Sequence, residues 1–132
     1  LMVIAVDDFE YLPGKILTVS TFEVKHAGQD GFDRTSTYEA LSHHRFAHLA
    51  HVAVFEPPAA YLPDHYDETM DSIAQEVRRL NIGLFEFTDP EEFSTWEEIV
   101  PPVRHEPDPA LMNLQISTLL KNEDLRAIKD AV

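Results

Sequence analysis

Strand-like and helix-like segments alternate through the middle of this sequence, and their order limits the possible folds more than any other feature. A strand-like run at 16–25 is followed by a predicted helix at 36–49, a strand at 51–56, a helix at 67–80 and a strand at 82–87. The second helix carries apolar residues at helical spacing, namely Met70, Ile73, Ala74, Val77 and Leu80. Strands joined through helices pair in parallel with right-handed crossovers. The sequence therefore predicts an α/β protein.

The beginning of the chain predicts a second type of strand pairing. The uniformly apolar run at 1–6 is typical of a buried strand. Pro13-Gly14 marks a turn before the strand at 16–25. A loop of this kind favours an antiparallel hairpin between the two strands.

The chain after Thr88 has a helical pattern. We expect a short helix at about 90–99, a proline-rich connection, and helices near 110–120 and 123–131. The full prediction is one α/β domain, 1–132, built on a mixed sheet. Its parts are an antiparallel hairpin (about 1–6 and 16–25), parallel strands (about 51–56 and 82–87), crossover helices and a helical C-terminal third.

Composition narrows the chemistry available to this domain. With 132 residues, of which 44% are hydrophobic, the chain can bury a core of its own. It contains no cysteine, which excludes disulfides, thiolate zinc sites and cysteine nucleophiles. The longest apolar runs have about six residues, whereas a bilayer span needs about 20, and the apolar start has no basic flank typical of a signal peptide. We therefore expect a cytoplasmic protein that does not contact a membrane.

The net charge bears on possible partners. Ten basic and 24 acidic residues give −14, a field that repels a phosphate backbone. The acidic residues are concentrated after position 56, which leaves the first half of the chain roughly balanced. Binding of nucleic acid would therefore need a local cationic groove or a metal ion, while the acidic surface favours a protein partner.

Glu23, Val24 and Lys25 end the strand at 16–25 and carry its most informative polar pattern. Because strand side chains alternate with a period of two, Glu23 and Lys25 are expected on the same face. Burial of charged groups at the end of an apolar strand costs free energy unless the groups pair with each other or bind a ligand. One interpretation is a surface ion pair contributing about 0–1 kcal/mol. The other is a carboxylate that binds a divalent metal beside a catalytic lysine.

The hairpin, the Glu-x-Lys on its second strand and the helix–strand crossover that follows resemble the PD-(D/E)xK nuclease superfamily, which has the restriction-endonuclease-like fold. The likeness covers about 1–56, with 82–87 as a common extension, and the stretch from 82 to Glu98 is similar to restriction-associated bacterial proteins. The resemblance implies that Glu23 and the Val24 carbonyl bind Mg²⁺ (or Mn²⁺). It implies that Glu23 and Lys25 are catalytic, with Lys25 activating water and offsetting charge during hydrolysis of DNA in restriction or defence.

The family also has an acidic residue, usually Asp, on the preceding hairpin strand. Pairing Val6 with about Ile16 places the residue opposite Glu23 at or just before Leu1, whereas Asp7 and Asp8 lie about 16 Å away at the other end. We therefore expect the sequence to begin inside its domain, after a Pro-Asp dipeptide and an upstream region. On this interpretation the 132 residues alone cleave little or no DNA, and DNA is bound through the full-length protein.

The predicted helix at 36–49 supplies further candidates. Ser36 and Glu39 have capping-box spacing, and in the resembling family this helix flanks the active site, which implies substrate contacts for Tyr38, His44 and Arg45. His44, His48 and His51 also fall at i, i+4 and i+7, so a zinc site on one helical face is an alternative.

The sequence is also compatible with a function of a different class from a nuclease. The same fold could act as a catalytically inactive module that binds a protein partner through its acidic surface. The charge of −14 and the missing acidic residue favour this module, and the Glu23/Lys25 pair with its hairpin favours the enzyme.

Overall fold

A five-stranded mixed sheet with helices organises the computed structural model, which describes residues 1–29 and 32–132. The strands are β1 (Met2–Asp8), β2 (Lys15–His26), β3 (Leu49–Phe55), β4 (Gly83–Phe87) and β5 (Glu97–Val100). The α-helices are α1 (Ser36–Ser42), α2 (Tyr66–Arg79), α3 (Pro109–Leu119) and α4 (Asn122–Ala131). Short 3₁₀ turns occupy His43–Arg45, Ala59–Tyr61 and Phe93–Thr95.

The strands lie side by side in chain order, β1-β2-β3-β4-β5. β1 and β2 form the antiparallel hairpin, and β2, β3 and β4 are parallel. β5 closes the other edge antiparallel to β4. The predicted α/β class and the mixed sheet with its hairpin and parallel strands are confirmed.

The core lies between the sheet and the two crossover helices. Its fully buried members include Val52, Val54, Leu84, Ile73 and Val77, from β3, β4 and α2. Paired residues of neighbouring strands point to the same face of a sheet. Since Glu23 pairs with Val52 and Lys25 with Val54, both charged residues lie on the face that the helices cover.

The helix predicted at 36–49 is much shorter than expected. α1 ends at Ser42 and is followed by a 3₁₀ turn, because the chain from His48 onward pairs with β2. The His48 backbone N–H donates to the Val19 carbonyl at 2.9 Å. The capping box was also wrong: α1 begins after Thr35 without a side-chain cap, and the Glu39 carboxylate turns toward the sheet instead.

The helix predicted at 90–99 was wrong as well. A 3₁₀ turn and β5 occupy this segment, with Glu97 opposite Glu86 and Val100 opposite Leu84. Pairing with the free edge of β4 satisfies backbone groups that the sequence pattern does not reveal, and such tertiary pairing overrides local preference. The fifth strand was therefore missed.

A close approach of side chains at Gly83 fixes the start of β4. A Cβ atom at this position would lie 2.5 Å from Cδ2 of His51 and 3.1 Å from Cδ of Pro102. The His51 ring is itself held in place, because it is buried and stacks on Phe22 at 4.4 Å between ring centres. Only glycine fits this position without a shift of its neighbours.

The C-terminal helices lie against the hairpin. α3 begins at Asp108, whose side chain accepts hydrogen bonds from the N–H groups of Ala110 and Leu111 at 2.8 and 3.2 Å. Both helices match the predicted positions within two residues, and neither contains a buried residue. Among the helices that the structure describes, none is long and apolar enough to cross a membrane.

Candidate functional site

Glu23 and Lys25 lie together on the helix-covered face of β2. The Lys25 Nζ atom is 3.6 Å from Oε1 of Glu23, and the two side chains are only 26% and 20% exposed, with Glu23 the more exposed. The strand alternation therefore places them side by side as predicted. Both are partly withdrawn from water, so the pair is more than a freely solvated surface contact.

Two further residues that the sequence patterns did not assign to this pair complete a cluster. Glu39 of α1 brings Oε2 to 2.9 Å from Lys25 Nζ. His43, in the 3₁₀ turn after α1, places Nε2 4.0 Å from Oε2 of Glu23. The other ring nitrogen of His43, Nδ1, shares a hydrogen bond of 3.0 Å with the Thr21 hydroxyl, which fixes the ring.

The sequence patterns predicted only part of the cluster because its residues lie on different elements. Glu39 lies near the start of the predicted helix that follows β2. Its spacing from Ser36 matched a capping box, so it was not assigned to the Glu23/Lys25 pair. Its real partner is fourteen residues away. His43 belonged to a histidine run whose helical phase was wrong, so its contact with Glu23 could not be inferred.

Glu23, Lys25 and Glu39 shift each other's pKa values, and burial shifts the pKa of His43. Burial raises the pKa of Glu23, and hydrogen bonding to Glu39 and repulsion from it raise this pKa further. The hydrogen bond with Lys25 lowers the pKa of Glu39, while the same bond raises the pKa of Lys25. Burial lowers the pKa of the His43 ring. Two carboxylates compete for one ammonium here, so a further positive charge beside Glu23 would favour their ionised forms.

The Val24 carbonyl lies at the same end of β2 as Glu23 and Lys25, and the hydrogen bonds of the hairpin fix its direction. The Phe22 N–H donates to the Leu1 carbonyl at 2.8 Å, and the Leu1 amino group donates to the Phe22 carbonyl at 3.2 Å. Backbone groups of alternate residues point to the same side of an antiparallel ladder. The Val24 carbonyl, two residues on, therefore points to the β1 side of β2, beyond the paired part of β1.

The oxygen donors fit a hard divalent cation. Mg²⁺ is often held by one or two carboxylates, with water and substrate phosphate completing its coordination. Glu23 and the Val24 carbonyl supply two oxygens, and Glu39 is a second carboxylate within reach of the same lysine. Among residues 1–29 and 32–132, no group of three or more His, Asp or Glu side chains is arranged to hold a metal ion, so water and phosphate oxygens would have to complete the shell.

The register of the hairpin locates the position opposite Glu23. Val6 pairs with Leu17, one residue from the predicted partner, and Leu1 lies opposite Phe22. Glu23 therefore faces the position directly before Leu1. Asp7 and Asp8 pair with Ile16 and Lys15 at the far end of the hairpin, so neither of them lies opposite Glu23.

A cavity of about 370 Å³ borders Glu23 and His43. Its other lining residues include Thr21 and Met2 of the hairpin, and Leu119 and Leu120 where α3 ends. The cavity gives the Glu23 carboxylate access to a small ligand while apolar walls exclude part of the solvent.

The three residues predicted to contact substrate have partners outside the cluster, and their role stays a prediction. The Tyr38 hydroxyl donates to Oε1 of Glu76 on α2 at 3.1 Å. The His44 ring stacks on His105 at 5.1 Å between ring centres. Arg45 borders a separate cavity near Leu111, and its carbonyl accepts a hydrogen bond from the Asp108 N–H. The structure thus brings Glu23 and Lys25 together but gives Tyr38, His44 and Arg45 other partners.

The histidine run does not form one helical face, so the zinc alternative was wrong. His44 lies in a 3₁₀ turn, His48 directly before β3, and His51 within β3. His48 Nδ1 accepts a hydrogen bond from the Val19 N–H at 2.9 Å, and the His51 ring bonds the Thr21 carbonyl at 3.0 Å. These histidines support the pairing of β2 and β3.

This role predicts that the two histidines destabilise the protein in mild acid. Burial lowers the pKa of His48 and of His51 from the ordinary value of 6.5. The unfolded chain then binds more protons at these two histidines than the native protein does at a pH just below 6.5, so their contribution to the free energy of unfolding falls as the pH drops through this window. The Glu86 carboxyl, whose pKa burial raises to about 7, contributes with the opposite sign. Urea unfolding at pH 7.5, 6.5 and 5.5 measures the slope.

His48→Gln is the matched variant for this measurement. The glutamine amide can accept the Val19 N–H without titrating, so the variant should lose part of the slope between pH 7.5 and 5.5. An unchanged slope in His48→Gln would show that His48 does not contribute to it.

Comparison with known proteins identifies no relative. The chain matches no protein-family model, no curated protein and no solved structure. The functional interpretation therefore depends on the residues and the geometry described above.

Proposed function

We propose that this chain is a nuclease-like domain that hydrolyses phosphodiester bonds of DNA with Mg²⁺ or Mn²⁺. The observation that carries the proposal is the cluster at the end of β2, where Glu23 and Glu39 both lie beside the Lys25 ammonium and the Glu23 carboxylate borders a cavity. Glu23 and the Val24 carbonyl bind the cation. Lys25 orients the attacking water and offsets the charge that develops on phosphate.

The two residues contributed by α1 and the following turn fit this reaction. Glu39 holds the Lys25 ammonium beside Glu23 and keeps it charged. His43 stays uncharged through burial, which leaves the Glu23 carboxylate available to a metal ion. The bound cation itself would polarise the phosphate and the water.

The acidic composition limits how DNA can be bound. A domain with a charge of −14 does not attract DNA by its overall field. A divalent cation at Glu23 and the lysine beside it would supply local positive charge, and further contacts would come from other parts of a larger protein. We place such a protein in the bacterial cytoplasm, in restriction or defence.

The hairpin register allows a direct test of catalysis. A chain carrying Pro-Asp directly before Leu1 places a carboxylate opposite Glu23, and Pro-Asn is the matched control. With Mg²⁺ or Mn²⁺ we expect cleavage of plasmid DNA by the Pro-Asp form, and little or none by the Pro-Asn form or by the 132 residues alone. Equal cleavage by all three would contradict the proposed arrangement.

The second candidate is a catalytically inactive module of the same fold that binds a protein through its acidic surface. The observation in its favour is the charge of −14, with acidic side chains concentrated after position 56. The two proposals differ in one result: the inactive module cleaves no DNA in the Pro-Asp form with either metal, although this form remains folded.

A further inference from the structure

A second acidic cavity lies away from Glu23, between α2 and the sheet. It has a volume of about 470 Å³ and is bordered by residues from the end of β3, from α2 and from β4. Four of its lining residues are acidic, namely Glu56, Asp67, Asp71 and Glu86. None of the lining residues that the structure describes is basic, so the cavity concentrates negative charge without an internal counter-ion.

The strand register places the carboxyl groups of Glu56, Glu86 and Glu97 near one another. Glu86 pairs with Val54 on the helix-covered face, and Glu56, two residues after Val54, follows on the same side of β3. β5 adds Glu97 opposite Glu86. Burial raises the pKa of Glu86 to about 7, and a hydrogen bond with Glu56 and repulsion from Glu56 and Glu97 contribute to this rise.

Tyr66 provides a second, independent indication of a ligand. This residue is 8% exposed and borders the cavity, yet its buried hydroxyl makes no hydrogen bond of normal geometry with any described residue. Burial and the nearby Glu86 carboxyl raise its pKa, so the hydroxyl stays protonated. A buried hydroxyl without such a bond destabilises the protein, and a hydrogen-bond donor of a ligand would satisfy its oxygen.

The remaining walls distinguish an organic cation from a metal ion. Met70, Ala74 and Ile99 give the cavity apolar surface beside its carboxylates. A carboxylate-lined pocket with an apolar side matches an ammonium group on an alkyl chain.

We propose that this cavity binds a primary alkylammonium group. The ammonium donates hydrogen bonds to Glu86, Glu56 and the Tyr66 oxygen, and the alkyl chain contacts Met70 and Ile99. The group can belong to a free linear diamine or to a lysine side chain of a partner protein. This inference does not rest on the proposed nuclease function.

Isothermal titration of the 132-residue protein tests the proposal with two probes, cadaverine and an N-acetylated, C-amidated Ala-Lys-Ala peptide. We expect saturable binding of one equivalent. Tighter binding of cadaverine identifies a free diamine as the ligand, and tighter binding of the peptide identifies a lysine side chain. Glu86→Gln should weaken binding by about tenfold or more, since it replaces the charged acceptor of the ammonium by a neutral amide oxygen.

Two controls separate the cavity from general charge. Glu123→Gln on the exposed surface of α4 removes the same charge and should leave the affinity unchanged. Tyr66→Phe keeps the ring and its packing against Phe32 and should weaken binding. Amide NMR spectra of each variant check that it is folded.

The affinity should also rise with pH between about 6 and 8, because the Glu86 carboxyl must lose its proton to pair with the ammonium. Glu56, Glu97, Asp67, Asp71 and Tyr66 are the other titratable groups that border or influence it. Binding that does not saturate, or that Glu86→Gln and Glu123→Gln weaken equally, would overturn the proposal.

Discussion

Replacement of Lys25 by alanine, in the chain that carries Pro-Asp before Leu1, is expected to lower the rate of DNA cleavage by about 100- to 1,000-fold. Lys25 places an ammonium beside Glu23, and Glu39 holds it there at 2.9 Å. Its loss removes both the positive charge next to the reacting phosphate and the group that orients the water. The rate is measured from plasmid nicking at saturating Mg²⁺.

Lys15→Ala is the control for charge. Lys15 begins the same strand and lies at its far end, opposite Asp8. This variant therefore removes one positive charge at a position distant from the cluster. We expect its cleavage rate to stay within about twofold of the parent, since surface changes have small effects. A loss as large as that of Lys25→Ala would indicate that charge alone controls cleavage.

Thermal unfolding separates a catalytic from a structural effect of Lys25. The Lys25 ion pairs are partly exposed, so their loss should cost on the order of 1 kcal/mol of stability. A Lys25→Ala protein that melts near the parent but fails to cleave supports the assigned role. Full cleavage by Lys25→Ala would refute it.

Ile73→Ala is expected to destabilise the protein by about 2–5 kcal/mol. Ile73 lies in the middle of α2, is fully buried and packs in the core formed with β3 and β4. The substitution leaves a cavity between the helix and the sheet that the rigid strands cannot fill. Because native domains are stable by only about 5–15 kcal/mol, urea unfolding should show a large shift of the midpoint.

Ile73→Val provides the matched comparison. It removes one methylene group and should cost about 0.5–1.5 kcal/mol. The slope of the urea dependence should stay the same in both variants, since the surface exposed on unfolding hardly changes. A cost below 1 kcal/mol for Ile73→Ala would show that α2 does not pack on the sheet as described.

The sequence patterns that proved reliable were those repeated within one element. The apolar spacing of α2 located it to within one residue, and the alternation of β2 placed Glu23 and Lys25 on one face. Such patterns depend only on the local period of the backbone. The parallel order of β2, β3 and β4 followed from the crossovers between them.

The features that the sequence did not reveal depend on contacts between distant elements. β5 forms because β4 has a free edge, and Glu39 reaches Lys25 because α1 folds back over β2. His43 reaches Glu23 only because α1 ends early in a 3₁₀ turn. Each outcome was determined by tertiary pairing, which no local period encodes.

The location of a bound Mn²⁺ ion tests the central claim most directly, and the 132-residue chain is sufficient for it. Paramagnetic broadening of amide NMR signals decreases steeply with distance from the ion. We predict that substoichiometric Mn²⁺ broadens the amides of residues 22–26 and of His43 first, and that Glu23→Gln abolishes this effect while Glu10→Gln, in the loop after β1, does not. Broadening centred on other acidic segments, with residues 22–26 unaffected, would contradict the assignment of Glu23 and Val24 as metal ligands.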